Sequence, residues 1–289
     1  MMGSFARGLL WSILATALFL GISFGAFYIA HYIGQVTVGW MSPVLRGPIV
    51  IAAIAIAFWV LRVRINNKPW AGMALPFPQP GRLLLGATLG VVFMGAIFAS
   101  EYAIGWLHFA QFSTEVRYGL PRSVLTLIAL IPSLGTGFSE ELAFRGYVFR
   151  TLGERAPVWI AAIFMGIVFG LMHFTVPGFG PTYVFAVALW GLLFLAMRYA
   201  TGSLWFPIGF HATYDWSQVF FMGIKGSDPS WIQFTQTGPA FWVGGGATAE
   251  TGMLELIAVA VAVAIALTLI YGAATGRNVP WSSRLSADI

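Results

Sequence analysis

Ser139-Glu140-Glu141-Leu142-Ala143-Phe144-Arg145 is the stretch from which the fold has to be read. It places two adjacent carboxylates and a guanidinium inside a run otherwise apolar enough to lie in lipid. An ionisable group at mid-bilayer depth costs roughly 2.5–3.5 kcal/mol even on lenient insertion scales, so such groups occur where something pairs with them or uses them. Candidate partners follow along the chain: His173, His211 and Asp215, each in its own apolar segment.

Composition fixes the medium. Hydrophobic residues make up 58% of the 289 and charged residues 9%, whereas a soluble domain averages about 25% charged. The expected class is all-α, a polytopic transmembrane helix bundle. The net charge of +5 comes from 15 basic residues scattered between apolar runs. They form no patch for nucleic acid and read instead as topology, with positive charge kept inside. There is no Cys, which excludes disulfides, thiol catalysis and thiolate metal sites.

Apolar runs of about 20 residues can each cross the hydrocarbon core as a helix. About eight are expected, over 9–33, 43–61, 83–109, 123–149, 158–174, 183–199, 204–224 and 254–274. The first is longer than the ~7–15-residue apolar core of a signal peptide and reads as a retained span. Residues 62–82, with Asn66-Asn67-Lys68-Pro69, read as an aqueous loop, and 225–252, with Gly244-Gly245-Gly246, as an irregular outer one. One integral membrane domain is expected, with N-terminal helices over 1–122, a core over 123–224, and an outer loop plus last helix over 225–289. With both termini inside, only Arg46, Arg117, Arg122 and Lys225 fall outside, as the positive-inside rule favours.

Depth then tests whether the polar residues can meet. At 1.5 Å per helical residue, Glu140 lies about 22 Å before the inner turn near 153–157 and His173 about 26 Å after it. His211 and Asp215 lie about 14 and 20 Å beyond the next inner turn, at Thr201-Gly202, by the same rise. All four reach roughly mid-membrane.

Glu141 and Arg145 are four apart and share a helix face, which makes them a candidate buried pair. Glu140 is rotated about 100° away. Desolvation beside a second acid suits one of the two carboxyls to general acid–base work. Gly166, Gly170 and His173 share a face, and Gly-x-x-x-Gly is a close-packing surface between membrane helices. His211, Asp215 and Gln218 form a polar stripe on the seventh span. Glu140, His173, His211 and Asp215 would also be an acceptable Zn²⁺ donor set, and the spacing does not separate a metal site from a water-activating one. His31, His108 and Glu101 read as interface residues, and Trp70, Tyr102 and Trp281 as interface anchors.

These residues fall into three motifs, Glu140-Glu141-x-x-x-Arg145, Phe169-x-x-x-His173 and His211-x-x-x-Asp215. Together they resemble the signature of the CAAX prenyl protease and bacteriocin-processing family of intramembrane endopeptidases, in its prokaryotic form. The run from Thr201 to His211 is similar as well, and the resemblance covers roughly 130–222. It implies hydrolysis of a peptide bond in a membrane-associated substrate, a prenylated CAAX protein or a bacteriocin-type peptide. Glu140 would be the general base, assisted by His173. His211 and position 215 would stabilise the oxyanion, and Glu141 with Arg145 would shape the site. Asp215 departs from the Asn most often found there. An ionised Asp would repel an oxyanion, which leaves it to be protonated, to orient His211, or to bind a metal. The implied partners are membrane lipid and a membrane-associated peptide, with no nucleic acid, in a prokaryotic cell membrane. No cofactor is implied beyond that Zn²⁺ alternative. Two other classes fit the same residues: a proton-coupled transporter, and a non-catalytic immunity or scaffold protein.

Overall fold

The computed structural model describes residues 2–36, 41–68, 74–173, 181–218, 230–244 and 252–275. The chain is an all-α helix bundle and an integral membrane protein. Among the described residues, five helical stretches are long and apolar enough to cross a membrane: Ala6–Ser23, Pro48–Ile65, Pro80–Ile104, Arg122–Gly153 and Pro181–Thr201. Two of the eight expected spans coincide with shorter apolar helices, Val158–Met172 and Met253–Thr268.

In chain order the elements are α1 (Met2–Val36), α2 (Met41–Phe58), a π-helical stretch Trp59–Ile65, α3 (Pro80–Ile104), β1 (Leu107–Phe112), β2 (Val116–Arg117), β3 (Leu120–Pro121), α4 (Arg122–Ile128) and α5 (Leu130–Glu140). A second π-helical stretch, Glu141–Val148, then leads into α6 (Phe149–Gly153), α7 (Val158–Met172), α8 (Pro181–Thr201), α9 (Trp205–Trp216), β4 (Ile232–Gln236), α10 (Ala240–Val243) and α11 (Met253–Thr275).

Four sequence expectations need correction. The third span was expected to run to Phe109, but α3 stops at Ile104. Gly105 takes a left-handed φ of 82°, which terminates the helix without a Cβ penalty. Residues 107–112 then form β1, paired antiparallel with β4, so part of the expected irregular outer loop is a strand. Its stretches 225–229 and 245–251 lie outside the described residues, as does 219–224 at the end of the expected seventh span. The loop expected from Arg62 also starts later. Arg62 is buried within the first π-helical stretch, its guanidinium 2.6 Å from Glu154. Glu101, read as an interface residue, is buried, and its carboxylate accepts from Gln236 Nε2 at 3.0 Å. Tyr102 is exposed, and so is His108, opposite Thr235 on the sheet. Trp70, Trp281 and the His31 side chain lie outside the described residues.

Glycines set how closely the helices approach. A Cβ on Gly86 of α3 would stand 2.0 Å from the Phe206 carbonyl oxygen of α9, and one on Gly209 of α9 would stand 2.1 Å from that of Leu83. On another side of α9, a Cβ on Gly137 of α5 would meet Ile208 O at 3.0 Å. Backbones therefore touch, as small residues permit between membrane helices. Gly170 packs in the same way against Val184 of α8, on the α7 face expected from the sequence. Gly86→Ala is expected to destabilise the protein by about 1–3 kcal/mol through overpacking, read as a lower thermal midpoint in detergent. An unchanged midpoint would show that α3 and α9 are not in backbone contact.

Two apolar clusters fill the interior. One gathers Phe19, Phe58, Tyr147, Phe149 and Phe169, and the other Met94, Phe98, Trp190, Phe194, Phe210 and Tyr214.

Candidate active site

The polar residues stand at the seam between those clusters. α5 ends at Glu140, and the next eight residues are π-helical, with the Phe149 N–H donating to Phe144 O, five residues back. Such segments are rare and concentrate at functional sites. The sequence carries no signal for this one, since Leu142-Ala143-Phe144 is ordinary helix material. The adjacent glutamates thus straddle the junction and meet different surroundings. The Glu141 side chain is 0% exposed, whereas that of Glu140 is 27% exposed.

Glu141 Oε1 receives Arg145 Nη1 at 2.9 Å, the i,i+4 pair expected from spacing. The Arg145 guanidinium lies 4.1 Å from the ring centre of Phe169, in one cluster, and 5.0 Å from that of Phe194, in the other. Its Nε donates to the Gly191 carbonyl at 3.3 Å. Gly191 is where it must be small, because a Cβ there would stand 3.1 Å from Phe169 Cδ1 and 3.3 Å from Arg145 Nη2. Arg198, buried on α8, donates to the Arg145 carbonyl. Desolvated cation–π contacts are worth about 2 kcal/mol, so both aromatic clusters hold this cation in place.

His211 completes the group. Its Nδ1–H donates to Glu141 Oε1 at 3.0 Å, and its ring stacks on Phe194 with centroids 4.5 Å apart and planes 16° apart. The opposite nitrogen, Nε2, faces Glu140 Oε2 at 3.8 Å and Asp215 Oδ2 at 3.5 Å. Both distances exceed a good hydrogen bond. Asp215, 27% exposed like Glu140, borders the same side of the ring.

His173 stands apart from that chain of contacts. Its Nδ1 is 2.8 Å from the Phe169 carbonyl and its ring packs edge-on to Phe169, with centroids 4.9 Å apart. A carbonyl only accepts, so Nδ1 carries the hydrogen and Nε2 is the basic nitrogen of the neutral ring. Phe169, which also covers Arg145, is what links His173 to the rest. The structure therefore joins Glu140, Glu141, Arg145, His211 and Asp215 directly, and His173 through an aromatic ring.

Among the described residues, no three His, Asp or Glu side chains converge closely enough to hold a metal ion. Of the donors suggested for Zn²⁺, Glu140 and Asp215 both face His211 Nε2 and His173 stands apart, with His211 Nδ1 committed to Glu141.

Sequence reasoning missed the contribution of α8. Gly191 and Phe194 gave no signal in an apolar run, and Arg198 reads there as a topology charge although it is buried on the site. It missed Glu255 as well, a lone carboxylate entering the last apolar run and buried in the structure; the rule that flags intramembrane acids applied to it equally.

Residues 121–217 match the family model of type II CAAX prenyl endopeptidase Rce1-like proteins, a protease family. The matched segment contains all three motifs. No curated protein and no solved structure matches the chain.

Proposed function

We propose that this protein, Rce1-like through its motif-bearing helices, is an intramembrane endopeptidase that cleaves a membrane-associated peptide with a water activated by Glu140. The observation carrying the reading is the approach of Glu140 Oε2 to 3.8 Å from His211 Nε2 while the neighbouring Glu141 is engaged through Oε1 by Arg145 and the opposite nitrogen of that ring. One carboxylate is held by Arg145 and His211; its neighbour is left at a partly open edge.

In this reaction Glu140 takes a proton from water as the oxygen attacks the scissile carbonyl carbon. The carbonyl electrons move onto oxygen, and His211, carried as an imidazolium with its Nδ1–H on Glu141, donates its Nε2–H to that oxyanion. Collapse expels the amine, which receives the proton from Glu140. The 3.5 Å approach of Asp215 to His211 supports the orienting role among those open to it. Glu141 fixes the other nitrogen of the ring, and Arg145 neutralises Glu141. His173 assists with its Nε2 from the end of the neighbouring helix.

The fitting substrates are a prenylated CAAX protein or a bacteriocin-type peptide, presented to a multi-pass protein of a prokaryotic cell membrane with both termini inside. The test is cleavage of both peptide types by the purified protein, with and without a tight chelator. Chelator-resistant cleavage is expected. Loss on chelation, with recovery on adding Zn²⁺, would replace the glutamate reading with a metal one on Glu140, His173, His211 and Asp215.

A further inference from the structure

Like Glu101, another buried carboxylate lies outside both the motifs and the matched segment. Glu255, near the start of α11, is 1% exposed. Its Oε1 accepts from Trp190 Nε1 of α8 at 3.2 Å and from the Tyr214 hydroxyl of α9. Gln218 Nε2 lies 3.4 Å from that hydroxyl, and the Trp190 and Tyr214 rings pack with centroids 4.3 Å apart. The neighbours of these two aromatics matter. Trp190 precedes Gly191, whose carbonyl holds Arg145, and Tyr214 precedes Asp215, which borders His211.

We propose that Glu255 is a positioning residue: one carboxylate oxygen ties α8 to α9 from α11 and so sets the spacing between the Arg145–Glu141 pair and the His211–Asp215 edge. The proposal rests on the endopeptidase reading for its effect on rate. An acid this deep is expensive unless it is paired and used. Two hydrogen bonds from separate helices onto one oxygen fix the relative placement of the helices in a way apolar packing alone does not. Ångström-scale misplacement at a reacting centre, introduced from a distance, can cost about 10²-fold in rate.

The test uses the full-length protein in detergent, with Glu255→Leu, Glu255→Gln, Tyr214→Phe and the Leu/Phe double variant. Glu255→Leu is expected to lower kcat by about 10²-fold with KM nearly unchanged, the signature of lost transition-state geometry rather than lost binding. Glu255→Gln keeps an acceptor oxygen and is expected to restore most of kcat, which a role in bulk stability or charge would not predict. Tyr214→Phe is expected to lower kcat too, and the double variant to fall no further than the worse single, because both changes break one contact. Wild-type kcat in Glu255→Leu, a change in KM alone, or a double variant that multiplies the singles would each overturn the proposal. Should Glu255→Leu not fold, Glu255→Gln and Tyr214→Phe decide, and a Gln variant losing kcat as Tyr214→Phe does overturns it. Should the wild-type protein cleave neither peptide, the endopeptidase reading fails first. The same cycle read on thermal midpoints then judges the clamp: non-additive shifts support it and additive shifts overturn it.

Discussion

Replacing Glu140 with Gln is expected to slow peptide cleavage by about 10²–10⁴-fold, the range contributed by a positioned general base, while the protein stays folded. The substitution keeps shape and one acceptor oxygen and removes only the ability to take a proton. Glu140 can be spared structurally: its side chain is partly exposed, and its approach to His211, at 3.8 Å, is too long to be a hydrogen bond that holds the helices together. Its neighbour is the control. Glu141→Gln removes half of a buried ion pair and a ligand of the His211 ring, so loss of activity there comes with loss of stability. Initial rates on a labelled peptide, alongside thermal unfolding of the same samples, separate the two. Undiminished turnover in Glu140→Gln would remove this residue from the chemistry.

Arg145→Met is expected to destabilise the protein by about 3–5 kcal/mol, the cost of leaving a buried charge without its partner. Glu141 would remain at 0% exposure, with only the His211 ring to meet it among the described residues. The same change strips the bond to Gly191 O and the ring contacts with Phe169 and Phe194 that bind the two apolar clusters together. Met conserves much of the volume, so the measured loss reports the charge and its contacts rather than a cavity. Removing the acid as well, in Glu141→Gln/Arg145→Met, is expected to recover part of the loss, because the uncompensated charge is gone. Unfolding in detergent measures both. A single variant as stable as wild type would show that the pair is not buried as described.

Much of the site was legible because the bilayer simplifies the arithmetic. Spacing gave the Glu141–Arg145 pair, and rise per residue placed Glu140, His173, His211 and Asp215 at one depth, of which the structure brings Glu140, His211 and Asp215 together and sets His173 behind Phe169. Small residues at i,i+4 marked the buried face of α7. What escaped has physical reasons. The change from α- to π-helix at Glu141 is a backbone event, imposed by what packs around it and not by side-chain periodicity. Leu107–Phe112 still carries four apolar residues, which let the span read on past Gly105, although His108 and Gln111 interrupt them. The partners on α8 are a glycine and a phenylalanine, unremarked in a hydrophobic run until the guanidinium they hold is seen.

The glycine contacts on α9 carry a mechanical consequence. With backbone pressed on backbone against α3 and α5, α9 cannot slide along its axis without carbonyls colliding. The imidazole it bears is thereby pinned at one level in the membrane, like a blade set at a fixed height. On the endopeptidase reading, a polypeptide entering from the lipid would have to bring its own bond to that level, so how deeply a candidate chain inserts would become a selection rule in its own right, independent of the residues flanking the cut.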